Sequence, residues 1–243
     1  MFREGDGWAV ATPVQGGRAS ANTLFGGDPA PTLEVDESEF GLRIFAVRDG
    51  GSDERYLRIS NFILPNLAAF PGGGASDGYG VNWHVPIDDT SHWKFNITFR
   101  RSGPIDKALL KRRIAQLTPD YRLVRNQRNR YLQDREEMKD RTFSGLGTSF
   151  MVHDACATET MGRIQDRRQE HLGYTDKAII AARHQLQRAI RRVAGGGEAP
   201  HVVRDAGANA FPLLGAVDAA IPRSADWRHC WKDVLSGVLP TVA

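Results

Sequence analysis

The chain has 243 residues, of which 41% are hydrophobic and 25% charged, a balance that excludes a disordered chain and fits one large folded domain or two small ones. Thirty-two basic against 29 acidic residues leave a formal charge of only +3, too small and too intermixed to predict a nucleic-acid partner. Two cysteines, Cys156 and Cys230, are too few for a disulfide scaffold or a cysteine-rich metal site. No stretch nears the roughly 20 apolar residues that span a bilayer, so no membrane partner and a reducing, cytoplasmic setting are expected.

Residues 1–30 read as an irregular segment, punctuated by Gly5, Gly7, Gly16, Gly17, Gly26 and Gly27 with Pro13 and Pro29. Residues 32–36 and 42–48 then alternate apolar and polar side chains, as half-buried strands do. Glu39-Phe40-Gly41 is the turn between them, and Asp49-Gly50-Gly51 is the next. Further strands are expected over 55–64, 67–70, 79–85 and 92–101, with Gly72-Gly73-Gly74 as a flexible break. Connections this short favour an antiparallel sheet, because parallel strands need intervening crossovers.

The second half changes character. Residues 105–116 suggest a short helix carrying Lys111, Arg112 and Arg113, and 121–145 form a charged surface excursion with some helix. Met151–Met161 reads as a helix closed by Gly162. Thr175 is expected to cap the next helix. There Ile179, Ala182, Leu186, Ile190 and Val193 recur at steps of three and four, a stripe expected to pack on the sheet. Gly195-Gly196-Gly197 ends it, and 198–243 is a C-terminal tail of mixed elements. The expected architecture is α+β, an antiparallel sheet packed on a long C-terminal helix, over residues 31–195. Such a layout either encloses an apolar cavity or is simply covered by its helix.

Asp154 is the carboxylate to watch: near a helix start it reads either as a first-turn charge or as a metal ligand. His153 points about 100° away from it and reads as a half-buried polar residue. Glu159 lies off the face of Asp154 and reads as orienting the helix. Phe150, Ala157, Thr158 and Met161 recur near Asp154 at helical spacing, as pocket candidates or core. Tyr79, Val81, Trp83 and Val85 share one strand face, while Gly80, Asn82 and His84 share the other. One face is expected to line a pocket, with core packing the default for the aromatics. His84 and His92 lie on neighbouring strands; they either approach each other across a hairpin or stand apart.

Several blocks, in order, resemble one family. GYGVNWHVPIDDTSHWKF (78–95), NQRNRYLQDREEMKDRTFSG (126–145), HDACATETMG (153–162) and IQDRRQEHLGYTDKAIIAAR (164–183) resemble the oxygenase α subunits of Rieske non-haem iron oxygenases. The phthalate-dioxygenase and vanillate-demethylase subgroup is the most similar, and the resemblance covers residues 28–193. It implies a helix-grip (START-like) catalytic domain. It also implies mononuclear Fe(II) held by two histidines and a carboxylate, with Asp154 on the carboxylate position, and a substrate pocket for which Phe150, Ala157, Thr158, Met161, Asn82 and His84 are the candidates. The implied partners are an aromatic small-molecule substrate, a [2Fe-2S] cluster on a Rieske domain, an NAD(P)H-dependent reductase and sister subunits of a homotrimer.

The chain departs from that pattern in two ways. It has no Cys-x-His and Cys-x-x-His pair for the cluster, and no histidine precedes Asp28, where the paired iron ligands are expected. The resulting expectation is the catalytic C-terminal part of an oxygenase that hydroxylates or O-demethylates an aromatic ring. The alternative is a catalytically silent helix-grip module that binds an apolar ligand or a partner oxygenase subunit.

Overall fold

Alternating side chains become strands along most of the first hundred residues. The computed structural model describes residues 24, 27–51, 53–71, 78–100, 103–108 and 116–240. Most of the opening segment, Gly72-Gly73-Gly74 and the helix expected with Lys111, Arg112 and Arg113 lie outside them. Its described residues divide into two compact units, one formed by residues 104–170 and the other by residues 24–103 together with 171–240.

The second unit holds a seven-stranded antiparallel sheet. Strands β1 (Thr32–Ser38), β2 (Gly41–Asp49), β3 (Glu54–Ile63), β4 (Leu67–Pro71), β5 (Gly78–Asp88) and β6 (Ser91–Arg100) follow one another in both chain and space. Strand β7 (Val217–Pro222) pairs with β3, Leu57 opposite Ala219 and Ile59 opposite Val217. In β2 and β3 the side-chain period of two puts Phe45 and Val47 on one face with Leu57 and Ile59. β7 extends that face with Val217, Ala219 and Ile221.

Helix α3 (Trp227–Leu235) closes this core. The Asp226 side chain accepts a hydrogen bond from Arg228 N at 3.0 Å and so caps its first turn. Trp227, Trp231, Val234 and Leu235 recur on one helical face and are buried against the sheet. Phe45 meets both indoles, with ring centroids 5.5 and 6.0 Å apart. Arg43 lies buried beneath, its guanidinium 4.1 Å from the Trp231 ring, and donates to Leu213 O at 2.8 Å. On the opposite face Tyr56 donates to Asp218. Burial holds the Asp218 carboxyl above the usual range, while Tyr56 and Arg58 pull it the other way.

The long helix α2 (Lys177–Ala194) packs along β1 and β2, so the architecture is the expected α+β helix-grip arrangement. Two local expectations change. Thr175 does not cap the helix; it lies inside a 3-10 turn, Tyr174–Asp176, whose Asp176 side chain accepts from Gly173 N at 2.8 Å. The apolar stripe of the helix is also covered only in part: Ala182 and Leu186 are half-buried and Ile179 is exposed, while Gln185 donates to Gly41 O at 3.2 Å and Lys177 to Leu33 O. Ile190 is 65% exposed and Val193 51%. A stripe defines an apolar face, but not the neighbour that covers it. What the layout leaves is an open apolar groove of about 430 Å³ lined by Pro65, Leu186, Ala189, Ile190, Val193 and Ala194.

The first unit is built around helix α1 (Phe150–Glu159) and a 3-10 segment, Gln127–Leu132. Its small core is Tyr131, Leu146 and Val152. None of the helices among the described residues is long and apolar enough to cross a membrane.

Candidate functional site

Helix α1 divides into two faces at 100° per residue. Val152 and His153 are buried and Cys156 half-buried on the inner one. Phe150, Asp154, Ala157 and Thr158 fall on the other, with Met161 just beyond the end in the same row. Asp154 is half-buried, whereas Phe150, Ala157, Thr158 and Met161 are exposed. The first-turn reading of Asp154 is excluded: it is the fifth helical residue, and the first turn holds no acid. Instead the helix starts after Ser149 and ends near Gly162, whose φ of 95° suits a residue without a side chain.

Three contacts fix α1 from behind. His153 Nε2 lies 2.8 Å from Gly147 O, and His153 Nδ1 lies 3.2 Å from Ser144 Oγ. A carbonyl only accepts, so Nε2 carries the proton and Nδ1 accepts from the hydroxyl. Both ring nitrogens are thereby engaged with protein, as a buried structural imidazole requires. Tyr131 OH donates to Glu159 Oε2 at 2.5 Å, which gives Glu159 its orienting role. Burial, and then the Glu159 carboxylate, push the Tyr131 phenol well above its usual range.

The segment before α1 is knit by its own polar atoms. Glu137 Oε1 accepts from Thr142 Oγ1 at 2.7 Å and from Gly147 N at 3.0 Å. Thr142 Oγ1 accepts from Gly145 N at 3.0 Å, and Gly145 O accepts from Asp134 N at 2.8 Å. Upstream, Arg130, Tyr131 and Leu132 have φ of 52°, 56° and 46°. Left-handed backbone costs an ordinary residue roughly 1–2 kcal/mol, so three in succession need restraint. Arg125 Nη1 supplies it by donating to Tyr131 O at 3.2 Å and Leu132 O at 2.9 Å.

In the second unit, β5 and β6 form a hairpin with two unlike faces. Tyr79, Val81, Trp83 and Val85 stand opposite Phe99, Ile97, Phe95 and Trp93. The expectation that Tyr79 and Trp83 are core is not met: Tyr79 is half-buried and Trp83 43% exposed, and Phe95 opposite Trp83 is 50% exposed. Tyr79 and Phe99 pair at 5.2 Å between centroids, and Trp83 and Phe95 at 5.9 Å. Asn82 and His84 are half-buried on the other face. Asn96 Nδ2 donates to Asn82 Oδ1 at 2.5 Å, and His84 Nδ1 lies 2.9 Å from His92 Nε2. Of the two readings of this histidine pair, the structure adopts the close approach.

The resemblance implies an iron ion held by two histidines and a carboxylate. Asp154 is a half-buried carboxylate, and the neighbouring imidazole of His153 is committed to Gly147 and Ser144. No group of three His, Cys, Asp or Glu side chains among the described residues is arranged to hold a metal ion. The described residues therefore do not by themselves fit an iron centre. Both cysteines are free thiols.

The model of the LigXa C-terminal domain-like family matches residues 9–237. The chain belongs to this family, and it matches the C-terminal part of oxygenase α subunits of the Rieske non-haem iron type. It is 31% identical over 214 residues to the phthalate 4,5-dioxygenase oxygenase subunit of Pseudomonas putida, covering 83% of this chain and 46% of that protein. It is 26% identical over 230 residues to the 3-chlorobenzoate-3,4-dioxygenase oxygenase subunit of Comamonas testosteroni, covering 86% and 52%. Against the phenoxybenzoate dioxygenase subunit alpha of Ectopseudomonas oleovorans the identity is 26% over 170 residues, covering 69% and 36%. The chain thus spans about half the length of the first two relatives and about a third of the last.

Proposed function

We propose that this chain is the catalytic portion of a Rieske-type oxygenase subunit that inserts oxygen into an aromatic carboxylate, with Asp154 as the carboxylate ligand of its iron. The observation that carries the reading is the identity with the phthalate 4,5-dioxygenase oxygenase subunit across most of the chain. The substrates named in the relatives, phthalate, 3-chlorobenzoate and phenoxybenzoate, are all ring carboxylates, which gives the substrate class. The geometry of α1 supports the role of Asp154. The side chain is carried on a helix locked through His153 and Tyr131, and its own face holds Phe150, Ala157 and Thr158, small or apolar groups suited to a flat ring.

In this reading the two imidazoles of the iron site and the [2Fe-2S] cluster come from polypeptide beyond the described residues. Two imidazoles with one carboxylate leave open positions for dioxygen, which is the chemistry the iron supplies. An NAD(P)H-dependent reductase feeds the cluster, and the assembly is a cytoplasmic homotrimer. The residues of this chain carry the remaining work. Phe150, Ala157, Thr158 and Met161 line the approach to Asp154.

The test uses an intact oxygenase subunit containing this segment, loaded with iron and cluster and supplied with reductase and NADH. Oxygen uptake and products are followed across a panel of benzoates and phthalates. The expected result is substrate-dependent uptake with a hydroxylated or O-demethylated ring product for at least one carboxylate. A fully loaded protein that reduces its cluster yet oxygenates no aromatic acid would instead favour a ligand- or subunit-binding module.

A further inference from the structure

The hairpin of β5 and β6 forms one end of the sheet, because β6 pairs only with β5 among the described residues. A free edge is held by one ladder of hydrogen bonds and gains from any second cross-link. His84 stands opposite Lys94, and His92 opposite Pro86, so the two imidazoles are diagonal neighbours on the same face. Their rings lie 4.8 Å apart between centroids, and His84 Nδ1 and His92 Nε2 are 2.9 Å apart.

We infer that His84 and His92 form a two-imidazole chelate for a divalent transition-metal ion, of the Cu2+ or Ni2+ type, which clamps β5 to β6. The bite distance supports this. With metal–nitrogen bonds of about 2.1 Å, two ligands at right angles lie about 3.0 Å apart, and two at the tetrahedral angle about 3.4 Å. The observed separation fits cis positions of a square-planar or octahedral ion, and Cu2+ and Ni2+ prefer those geometries and bind nitrogen strongly. Water fills the remaining positions.

The protons balance without loss. Each neutral imidazole carries one proton, and in the hydrogen-bonded pair one proton lies between the rings. On chelation the donor ring changes tautomer, its proton passing through solvent from the inner to the outer nitrogen, so both inner lone pairs face the metal. Burial, then His92 and Lys94, lower the pKa of His84, which keeps it in the neutral form that metals need. Lys94, directly opposite His84, opposes the incoming charge. The site needs neither Asp154 nor any oxygenase activity, so it stands or falls apart from the proposed function.

The test is isothermal titration of the 243-residue chain with Ni2+ and with Cu2+ at neutral pH, beside His84→Gln, His92→Gln and the double variant. Circular dichroism without metal confirms that each variant is folded. The expected result is one saturable site, weakened at least about 10-fold by either single change and absent from the double variant. Lys94→Gln should tighten it. Nitrogen hyperfine structure from two imidazoles in the Cu2+ electron paramagnetic resonance spectrum, and slower hydrogen exchange over β5 and β6 with metal bound, are the accompanying signatures. The inference is overturned if no saturable site is found, or if the double variant binds as the parent does.

Discussion

Trp231→Ala is expected to destabilise the sheet unit by about 3–5 kcal/mol, the range for deleting a buried aromatic side chain. The indole is buried between Phe45 and the neighbouring helical turn, within the cluster of Leu57, Ile59, Val217 and Ala219. Truncation removes the transfer free energy of the ring and leaves a cavity beneath a helix of only nine residues. It also strips the aromatic face from the Arg43 guanidinium, a buried cation that burial already disfavours. Leu213 O would remain its hydrogen-bond partner. Urea unfolding followed by far-ultraviolet circular dichroism measures the loss. A change below about 1 kcal/mol would mean that α3 is not a core element, since surface substitutions stay within about half of that.

Gly145→Ala is the second large effect, and it falls on the other unit. Gly145 has φ of 65° and its amide and carbonyl are both used, by Thr142 Oγ1 and Asp134 N. A Cβ there would lie 2.1 Å from Asp134 O and 2.9 Å from Met138 Cγ. The first contact is with backbone that is itself hydrogen-bonded to Gly145, so it cannot be relieved without breaking the turn. The expected cost is about 2–4 kcal/mol, combining left-handed strain with the loss of one or two buried hydrogen bonds. His153 depends on the same turn through Ser144 and Gly147, so protection from hydrogen exchange at the start of α1 should fall as well. An alanine variant with unchanged stability and unchanged exchange over residues 150–154 would contradict this account of how α1 is held.

Six strands and both main helices were legible because their signals are local. Alternation in 42–48 and 55–64 needs no distant partner to be read as strand. The place of β7 was not legible. Val217–Pro222 is a short apolar run, and its pairing with Glu54–Ile59 joins segments more than 150 residues apart. The covering of α2 was misjudged for a related reason: the Ile179–Val193 stripe reports hydrophobicity, but not that Ile179, Ile190 and Val193 stay exposed while Gln185 turns to Gly41. Thr175 looked like a cap by residue type, yet it lies inside a 3-10 turn closed by the Asp176 side chain on Gly173 N.

At the candidate site, the row of Phe150, Asp154, Ala157 and Thr158 was readable from helical spacing, and the weight on Asp154 came from the resemblance of HDACATETMG to a family block. What holds α1 in place was not readable. Tyr131 reaches Glu159 across 28 positions, and the left-handed run at 130–132 contains neither glycine nor asparagine to announce it. The aromatic hairpin face illustrates the converse. Its alternation was clear, but alternation alone does not say whether an apolar face is buried or left open.

The role proposed for Asp154 on α1, carboxylate ligand of an oxygenase iron centre, has a direct readout in metal content. Elemental analysis of an intact oxygenase subunit containing this segment, beside its Asp154→Ala and Asp154→Asn variants, tests it most directly. Iron is counted beyond that of the cluster, and circular dichroism confirms the fold. The parent should hold stoichiometric mononuclear iron, and the alanine variant should lose it together with product formation, because two imidazoles alone make an incomplete site. The asparagine variant should be nearly as depleted, since it keeps the shape and removes the charge. An Asp154→Ala protein with full mononuclear iron and normal turnover would show that the carboxylate ligand lies elsewhere.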